Sequence, residues 1–244
     1  IHAMGNIYIG GYVEDADIWS GQDIIIQDGV NAGENGRIEA MGNISARFFE
    51  NAHIISHSDI KCDYMLNTTA LAYGGIYLEG KRGSVIGGDV TGVRGICIKA
   101  CGSESYSKTV LRVGVTKEIS SEYAKVLMVL KDIDTQIDRF NQALQKLDIL
   151  KKAGSDKFDE TLNRKLLQSK IVKTAEKAKY EEKSRNLYTL VRESDRAVVR
   201  IDKNIYPGSR VFMGDKTYVP STVFTHIALK KTSQGVLIRN YDSM

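Results

Sequence analysis

His53, His57 and Cys62 lie close together in the sequence and are residue types that bind transition metals. They lack the HxH or CxxC spacing of a metal site, and a structural zinc site needs four ligands. We therefore interpret both histidines as surface residues. The sequence predicts no metal site and no cofactor.

Residues 81–88, KRGSVIGG, superficially resemble a phosphate-binding loop. The stretch has no following Lys-Ser/Thr pair, and it leads into predicted strands rather than into a helix, so the context of that motif is absent. The glycines are better interpreted as turn residues. Lys81 and Arg82, at the protruding tip, remain candidate contacts for an acidic partner.

The first hundred residues form a repeating pattern, which is described below. An active site in such a protein would need carboxylates, Arg or His gathered on one face of adjacent repeats. Acidic residues in the first repeats are instead scattered at predicted turns, namely Glu14, Asp15, Asp17 and Asp28. The sequence therefore predicts a protein that is not an enzyme.

The cysteines and the hydropathy of the chain predict its compartment and its relation to the membrane. Cys62, Cys97 and Cys101 are odd in number and form no CxxC pair, which indicates small buried residues in a reducing cytoplasm. The chain contains no run of about 18 apolar residues, so no transmembrane helix is predicted. Because residues 1–4 run directly into a repeating pattern, we expect the chain to be part of a longer protein.

An isoleucine recurs after a short polar or glycine pair along the first hundred residues. The recurring positions are Ile7, Ile24, Ile44, Ile60, Ile76 and Ile96, with intervals of 17, 20, 16, 16 and 20. Each interval of 20 contains a four-residue tip bracketed by glycines, at 33–36 and at 80–83. Without these tips the repeat is about 16 residues long.

Each repeat carries further apolar residues five to eight positions apart, which predicts short strands around a triangular coil. The predicted inward sets are Ile7, Val13, Ile18; Ile24, Val30, Ile38; Ile44, Phe49, Ile54; and Ile60, Leu66, Leu71. Stacked coils would align the six recurring isoleucines in one buried column. The pattern predicts a parallel β-helix.

Helical periodicity begins after Gly114. Seven apolar residues follow at spacings of 4 and 3: Val126, Leu130, Ile133, Ile137, Phe140, Leu144 and Leu147. This heptad seam predicts an antiparallel coiled-coil hairpin that turns at Gly154-Ser155. The second helix is expected to reach about Ser194, with its apolar residues at Phe158, Leu162, Leu166, Ile171, Leu187 and Leu190. Its seam is weak at 173–186, which favours a homodimer through the hairpin.

Strand-like residues return from Ala197 onward. The predicted domains are therefore β-helix coils over 1–116, a helical hairpin over 117–196, and returning strands over 197–244. Segments 223–231 and 235–241 resemble a closing hairpin, which would cover the open sheet edge at the end of the stack.

The positive charge of the protein is concentrated in the helical region. Residues 117–200 hold 19 Lys/Arg and 14 Asp/Glu, whereas the remainder holds 15 and 16. The candidate partner contacts there are Lys173, Lys177, Lys179 and Lys183. Glutamates interleave with these lysines and aromatic residues are few, so we expect a solvated helix face rather than a nucleic-acid interface.

Several blocks resemble the flagellar assembly protein A (FapA) family, in the family's order. They are GNIYIGG (5–11), GNISARFFENAHI (42–54), Leu66-Asn67-Thr68, GKRGSVIGG (80–88), and Cys101-Gly102-Ser103 followed by Thr109 and Val113-Gly114. The resemblance covers nearly the whole chain. It implies a right-handed β-helix with a coiled-coil insertion in a bacterial cytoplasmic protein, preceded in family members by further coils and another domain. Phe48-Phe49 and Ser58 depart from the family's smaller aliphatics and glycine.

The family's coils are also similar to the C-terminal β-helix of the cell-division inhibitor MinC, which binds the ATPase MinD. By that analogy a MinD-type ATPase is a candidate partner. The expected function is a non-enzymatic scaffold for flagellar assembly or placement, which binds proteins through the β-helix and the hairpin. The alternatives are a bactofilin-like polymer and, less favoured by the coil spacing, a carbohydrate-active β-helix enzyme.

Overall fold

A computed structural model describes residues 1–33, 36–115, 117–194 and 196–240 of the chain. These residues form a parallel β-solenoid of about six turns into which two helices are inserted. The predicted fold class is therefore confirmed. Glu34 and Asn35 of the first predicted tip, Thr116 and Asp195 near the predicted domain boundaries, and residues 241–244 lie outside the described part.

The strands before the helices are short and follow one another around the coil. They are β1 (His2–Ala3), β2 (Ile7–Ile9), β3 (Val13–Glu14), β4 (Ile18–Ser20), β5 (Ile24–Ile26), β6 (Gly29–Asn31), β7 (Arg37–Ala40), β8 (Ile44–Ser45), β9 (Phe48–Glu50), β10 (His53–Ser56), β11 (Ile60–Cys62), β12 (Tyr64–Ala72), β13 (Gly75–Leu78), β14 (Ser84–Gly92), β15 (Gly95–Ile98), β16 (Ala100–Cys101) and β17 (Thr109–Val113). Each pairs in parallel with its equivalent one coil away, which gives three sheet faces.

The recurring isoleucines lie directly above one another on the first face. Ile7 pairs with Ile24, and the column continues through Ile44, Ile60, Ile76 and Ile96. Ile7, in the first coil, is 7% exposed, and the other five are 0% exposed. Burying one such side chain completely stabilises the fold by about 1.5–3 kcal/mol. This column is therefore a major part of the solenoid core.

The fourth coil differs from its predicted inward set. Met65 and Ala70 are buried, at 0% and 2% exposure, and they pair with Phe49 and Ile54 of the coil before. The predicted Leu66 and Leu71 are only half-buried and point the other way. The prediction was wrong by one residue, which in a strand moves a side chain to the opposite face.

A ladder of side-chain hydrogen bonds explains the Asn or Asp before each isoleucine. The Oδ1 atoms of Asn6, Asp23, Asn43 and Asp59 each accept the backbone N–H of the corner residue in the next coil, at 2.9, 2.6, 3.2 and 2.7 Å. The ladder ends at Gly75, which has no side chain. Each bond holds a corner in register with the corner above it.

Two glycines, Gly42 and Gly74, allow neighbouring coils to pack closely at this ladder. A Cβ on Gly42 would lie 2.1 Å from Oδ1 of Asp23, and one on Gly74 would lie 2.1 Å from Oδ1 of Asp59. Any side chain would displace the accepting carboxylate. The Gly-Asn and Gly-Gly pairs at these corners therefore follow from close packing between coils.

Helices α1 (Lys117–Lys152) and α2 (Glu160–Ser194) form the insertion. The Asp159 carboxylate caps α2 by accepting the N–H of Leu162 at 3.0 Å. Ion pairs join Glu122 to Lys183 and Asp134 to Lys177, so the residue numbers rise on one helix as they fall on the other. The two helices are therefore antiparallel. At about 1.5 Å per residue, α1 is about 54 Å long.

Strands after the helices continue the faces and then close them. They are β18 (Val198–Ile205), β19 (Ser209–Met213), β20 (Lys216–Tyr218), β21 (Phe224–Lys231) and β22 (Val236–Asn240). Strands β18 and β19 pair in parallel with β15 and β17, and Val199 follows Ile96 in the column. Strand β21 then pairs antiparallel with β18 and with β22, as expected for a closing hairpin. Strand β20, antiparallel to β19, was not predicted.

The chain divides into two compact units. One comprises Ile1–Thr116 with Leu190–Met244, and the other comprises Lys117–Thr189. None of the helices in the described part of the chain is long and apolar enough to cross a bilayer.

Candidate interaction surfaces

The predicted contacts Lys81 and Arg82 lie in an exposed corner loop between β13 and β14. The loop is fixed from below, because Oδ1 of Asp63 accepts the N–H groups of Arg82 and Gly83 at 2.8 and 3.1 Å. Lys99 donates its Nζ to the carbonyl of Gly80 at 2.6 Å. The loop therefore presents its two cations from a rigid base.

The two cations of this loop differ in availability. The Arg82 guanidinium lies 4.3 Å from the centroid of the Tyr64 ring, so part of its surface is already used. Lys81 makes no ion pair and no side-chain hydrogen bond within the described residues. Lys81 is therefore the more available of the two for a partner.

Tyr64 belongs to a row of aromatic rings along the solenoid exterior. Its ring stacks on Phe48 at 5.1 Å, and Phe48 lies 6.1 Å from Tyr12. Phe48 reaches across Gly29, where a Cβ would come within 2.3 Å of its ring. The Tyr64 hydroxyl donates to Glu50 at 2.8 Å; burial, followed by this hydrogen bond, raises its pKa. These ring contacts, one stacked and one tilted, hold neighbouring coils together on the exterior.

A groove of about 390 Å³ lies on the outside of the first face. It opens broadly to solvent, and its lining includes Ser45, Arg47, Lys61, Asp63, Tyr77 and Glu79. The charges are mixed, and the Asp63 carboxylate is already engaged with the corner loop. Burial raises the pKa of Tyr77, so its hydroxyl stays protonated near neutral pH.

His53, His57 and Cys62 belong to no group of residues that could hold a metal ion within the described part of the chain. The His57 ring stacks on Tyr73 at 4.8 Å, whereas His53 is exposed and the Cys62 side chain is buried. All three cysteines are free. Burial raises the pKa of each thiol, to about 12 for Cys101. The thiols are therefore protonated and weakly nucleophilic.

Most of the hairpin lysines predicted to contact a partner are paired within the hairpin. Lys173 lies 2.7 Å from Glu176, and Lys183 lies 2.6 Å from Glu122. Lys177 lies 2.7 Å from Asp134, and this bond is the main reason for its raised pKa. Of the four, Lys179 alone has no such partner among the residues the structure describes.

The face that α2 presents to α1 is mainly polar in its middle. The half-buried positions recur every three or four residues at Asn163, Leu166, Lys170, Lys173, Lys177, Tyr180 and Ser184, followed by the buried Leu187. On α1, all seven predicted seam residues are buried or half-buried, with Ile133 at 2% exposure. The α1 seam therefore lies inward as its periodicity indicates.

Apolar residues of α2 lie on its outer side instead. Ile171 is 67% exposed and Leu162 is 45% exposed, so these two of the listed apolar residues do not lie on the face toward α1. Leu167 and Val172 are exposed as well. The two ion pairs from α1 agree with this orientation of α2, because Lys177 and Lys183 both reach across to carboxylates of α1. Sequence periodicity alone missed this outer apolar face.

A comparison with protein families gives a match over nearly the whole chain. The model of the FapA family, described as the Flagellar Assembly Protein A beta solenoid domain, matches residues 1–234. No curated protein and no solved structure matches the chain significantly.

Proposed function

Since the chain belongs to the FapA family, we propose that it is a non-enzymatic scaffold for bacterial flagellar assembly or placement. Family membership supports a role related to flagellar assembly. The finer proposal, that the chain acts by binding proteins, is supported by its surfaces. A rigid solenoid presents Lys81 and Arg82 from a fixed corner, and the hairpin presents Lys179 and an outer apolar face.

Absence of enzymatic activity is part of the same proposal. It is supported by the engaged Asp63 carboxylate beside the groove and by the raised pKa of the three thiols. A cytoplasmic location is proposed as well, because the three cysteines are free and the compartment must then keep them reduced.

Motility tests the scaffold role. In a flagellated bacterium that relies on this gene, deleting it should abolish or misplace flagella, and the full chain should restore them. A chain with 117–196 replaced by a short turn should still fold as a solenoid but should not restore motility. Full motility of the deletion strain would contradict a flagellar role of the protein. Full rescue by the shortened chain would contradict only the role of the hairpin and would leave the role of the solenoid standing.

A MinD-type ATPase is the proposed partner of the solenoid, by the similarity of the family's coils to those of MinC. Its binding would use the corner loop. The double substitution of Lys81 and Arg82 by Glu should weaken binding of the purified ATPase in the presence of ATP. Lys108→Glu, an exposed cation at another corner, is the matched control. Equal binding by all three proteins would remove the corner loop from the proposal.

An end-to-end polymer of the bactofilin kind is the alternative function. Pairing of β21 with β18 supports the scaffold over the polymer, because it occupies a strand edge that an incoming coil would need. Electron microscopy of the purified chain distinguishes the two. Regular filaments would favour the polymer, and separate particles would favour the scaffold.

A homodimer through the hairpin is the remaining proposal about partners. It is supported by the polar middle of the inner α2 face, which leaves the hairpin weakly packed by itself. Sedimentation velocity of the purified chain tests it. A monomer at all accessible concentrations would exclude the homodimer.

A further inference from the structure

The outer side of α2 carries a second seam with the spacing of a coiled coil. Leu167, Ile171, Thr174 and Ala178 follow one another at intervals of 4, 3 and 4 and are all exposed. Ile171 is 67% exposed, and the adjacent Val172 is 64% exposed. Ala175 and Ala178 are small enough to let another helix approach the backbone of α2 closely. The residue types therefore suit a helix as the neighbour.

Charge indicates what kind of helix would fit. Residues 161–179 contain six Lys or Arg and one Glu, a net charge of +5. Lys165, Lys170 and Lys179 make no ion pair within the part of the chain that the structure describes. Of these three, Lys170 is half-buried beside the seam, whereas Lys165 and Lys179 are exposed farther round the helix. In a helix pair, residues flanking the seam face the partner's flanking residues. A partner helix of net negative charge, with a carboxylate beside its own apolar seam to meet Lys170, would complement this segment.

We propose that the outer seam of α2 binds an amphipathic, acidic helix of another protein. This inference rests on the proposed scaffold function and specifies the partner that the hairpin takes. A second copy of the chain fits less well, because symmetric pairing would bring two segments of net charge +5 together. An anionic membrane fits less well too, because membrane-surface helices usually present several Trp, Phe or Leu residues, whereas this seam has one Leu, ends in Thr and Ala, and has no aromatic residue.

A photoreactive amino acid at position 171 of the full chain tests the proposal inside cells. The matched control places the same amino acid at position 128, since Met128 on α1 is 73% exposed and lies outside the seam. The expected product at 171 alone is a crosslink to a peptide of another protein with apolar residues at spacings of 3 and 4 and a net negative charge. A crosslink to a second copy, to phospholipid, or to nothing would overturn the proposal.

Synthetic helices test the same surface in solution. One peptide of three heptads carries Leu at the seam and Glu beside it; its control carries Lys in place of Glu. The full chain should bind the acidic peptide, and Ile171→Glu or Ala178→Arg should weaken binding by about tenfold or more, whereas Met128→Glu should not. Ala178→Arg keeps a good helix former, so its loss of binding would not reflect unfolding. Equal binding of both peptides, or of phosphatidylglycerol vesicles through Ile171, would overturn the proposal.

Motility separates this inference from the scaffold function. If the shortened chain without 117–196 fails to support motility while Ile171→Glu supports it fully, the outer seam is not the partner site and the scaffold role stands. If the shortened chain supports motility fully, the hairpin part of the proposed function fails first.

Discussion

The solenoid and the hairpin solve the problem of packing in different ways. In the solenoid, each aliphatic side chain lies on its equivalent in the next coil, and most of the column is fully excluded from water. In the hairpin, α1 has a regular apolar seam, but α2 faces it with lysines, a tyrosine and a serine. Buried aliphatic area stabilises a fold far more than exposed ion pairs do. The difference indicates that the solenoid core supplies most of the stability, whereas α2 leaves several apolar side chains exposed.

The largest expected effect comes from placing a charge in the column. Ile44→Asp puts an unpaired carboxylate at a site of 0% exposure and should cost several kcal/mol, about 4 or more, in the free energy of unfolding. Ile25→Asp, on the outward side of the neighbouring strand, is the control, since Ile25 is 37% exposed. Chemical denaturation measures both. An Ile44→Asp protein as stable as the Ile25→Asp protein would refute the inward column.

A cavity in the hairpin should have a large effect that stays local. Ile133→Ala removes a side chain that is 2% exposed and should destabilise the hairpin by about 2–4 kcal/mol. Met128→Ala, at 73% exposure, should change little. Amide hydrogen exchange resolves the two units, with faster exchange expected in α1 and α2 and unchanged exchange in the column strands. Equal acceleration in both units would show that they unfold together.

Removing one acceptor of the corner ladder should have a medium effect. Asp59→Ala leaves the N–H of Gly75 without its 2.7 Å bond and should cost about 1–3 kcal/mol. Asp59→Asn keeps an amide oxygen at the same place, as Asn43 does in the coil before, and should cost less. Thermal melts of the two variants test this order. Equal losses would mean that the carboxylate charge matters more than the ladder geometry.

The smallest expected effect is a pH dependence of the C-terminal cap. Hydrogen bonds from Lys231, and then from Lys216, lower the pKa of Asp215 from 3.8 to about 2. Because the pKa of Asp215 is lower in the folded state, the ionised carboxylate stabilises the fold at pH values above its unfolded pKa of 3.8. This stabilisation is lost as the pH falls through about 2. Wild type should therefore lose more stability than Asp215→Asn between about pH 4 and pH 2. Parallel loss in both proteins would assign the acid sensitivity to other carboxylates.

Much of the solenoid could be predicted because its signal is repeated. Six isoleucines at intervals close to 16 or 20 define the register several times over, so one ambiguous coil cannot shift it. Within the fourth coil the signal is not repeated: Met65 and Leu66 are both apolar, and only pairing with Phe49 decides which one is buried. The ladder at Asn6, Asp23, Asn43 and Asp59 was visible as a residue pattern, but its bonds depend on the contact between coils.

The hairpin was less predictable because α2 has competing faces. Its apolar residues indicate one inward side, whereas the carboxylates of Glu122 and Asp134 on α1 attract the side that carries Lys183 and Lys177. Sequence periodicity weighs only the apolar residues of a single helix. The exposure of Leu167 and Ile171 therefore became visible only once the packing of α1 against α2 was known.

Native-state hydrogen exchange of the full chain, read residue by residue, tests the contrast between the two units most directly. We expect amides of the column strands, such as those of Ile60 and Ile76, to exchange only through global unfolding. Amides of residues 161–179 should exchange through local opening, at a distinctly lower free energy. Protection of 161–179 equal to that of the column, in the chain without a partner, would contradict the claim that the hairpin depends on another molecule to complete its packing.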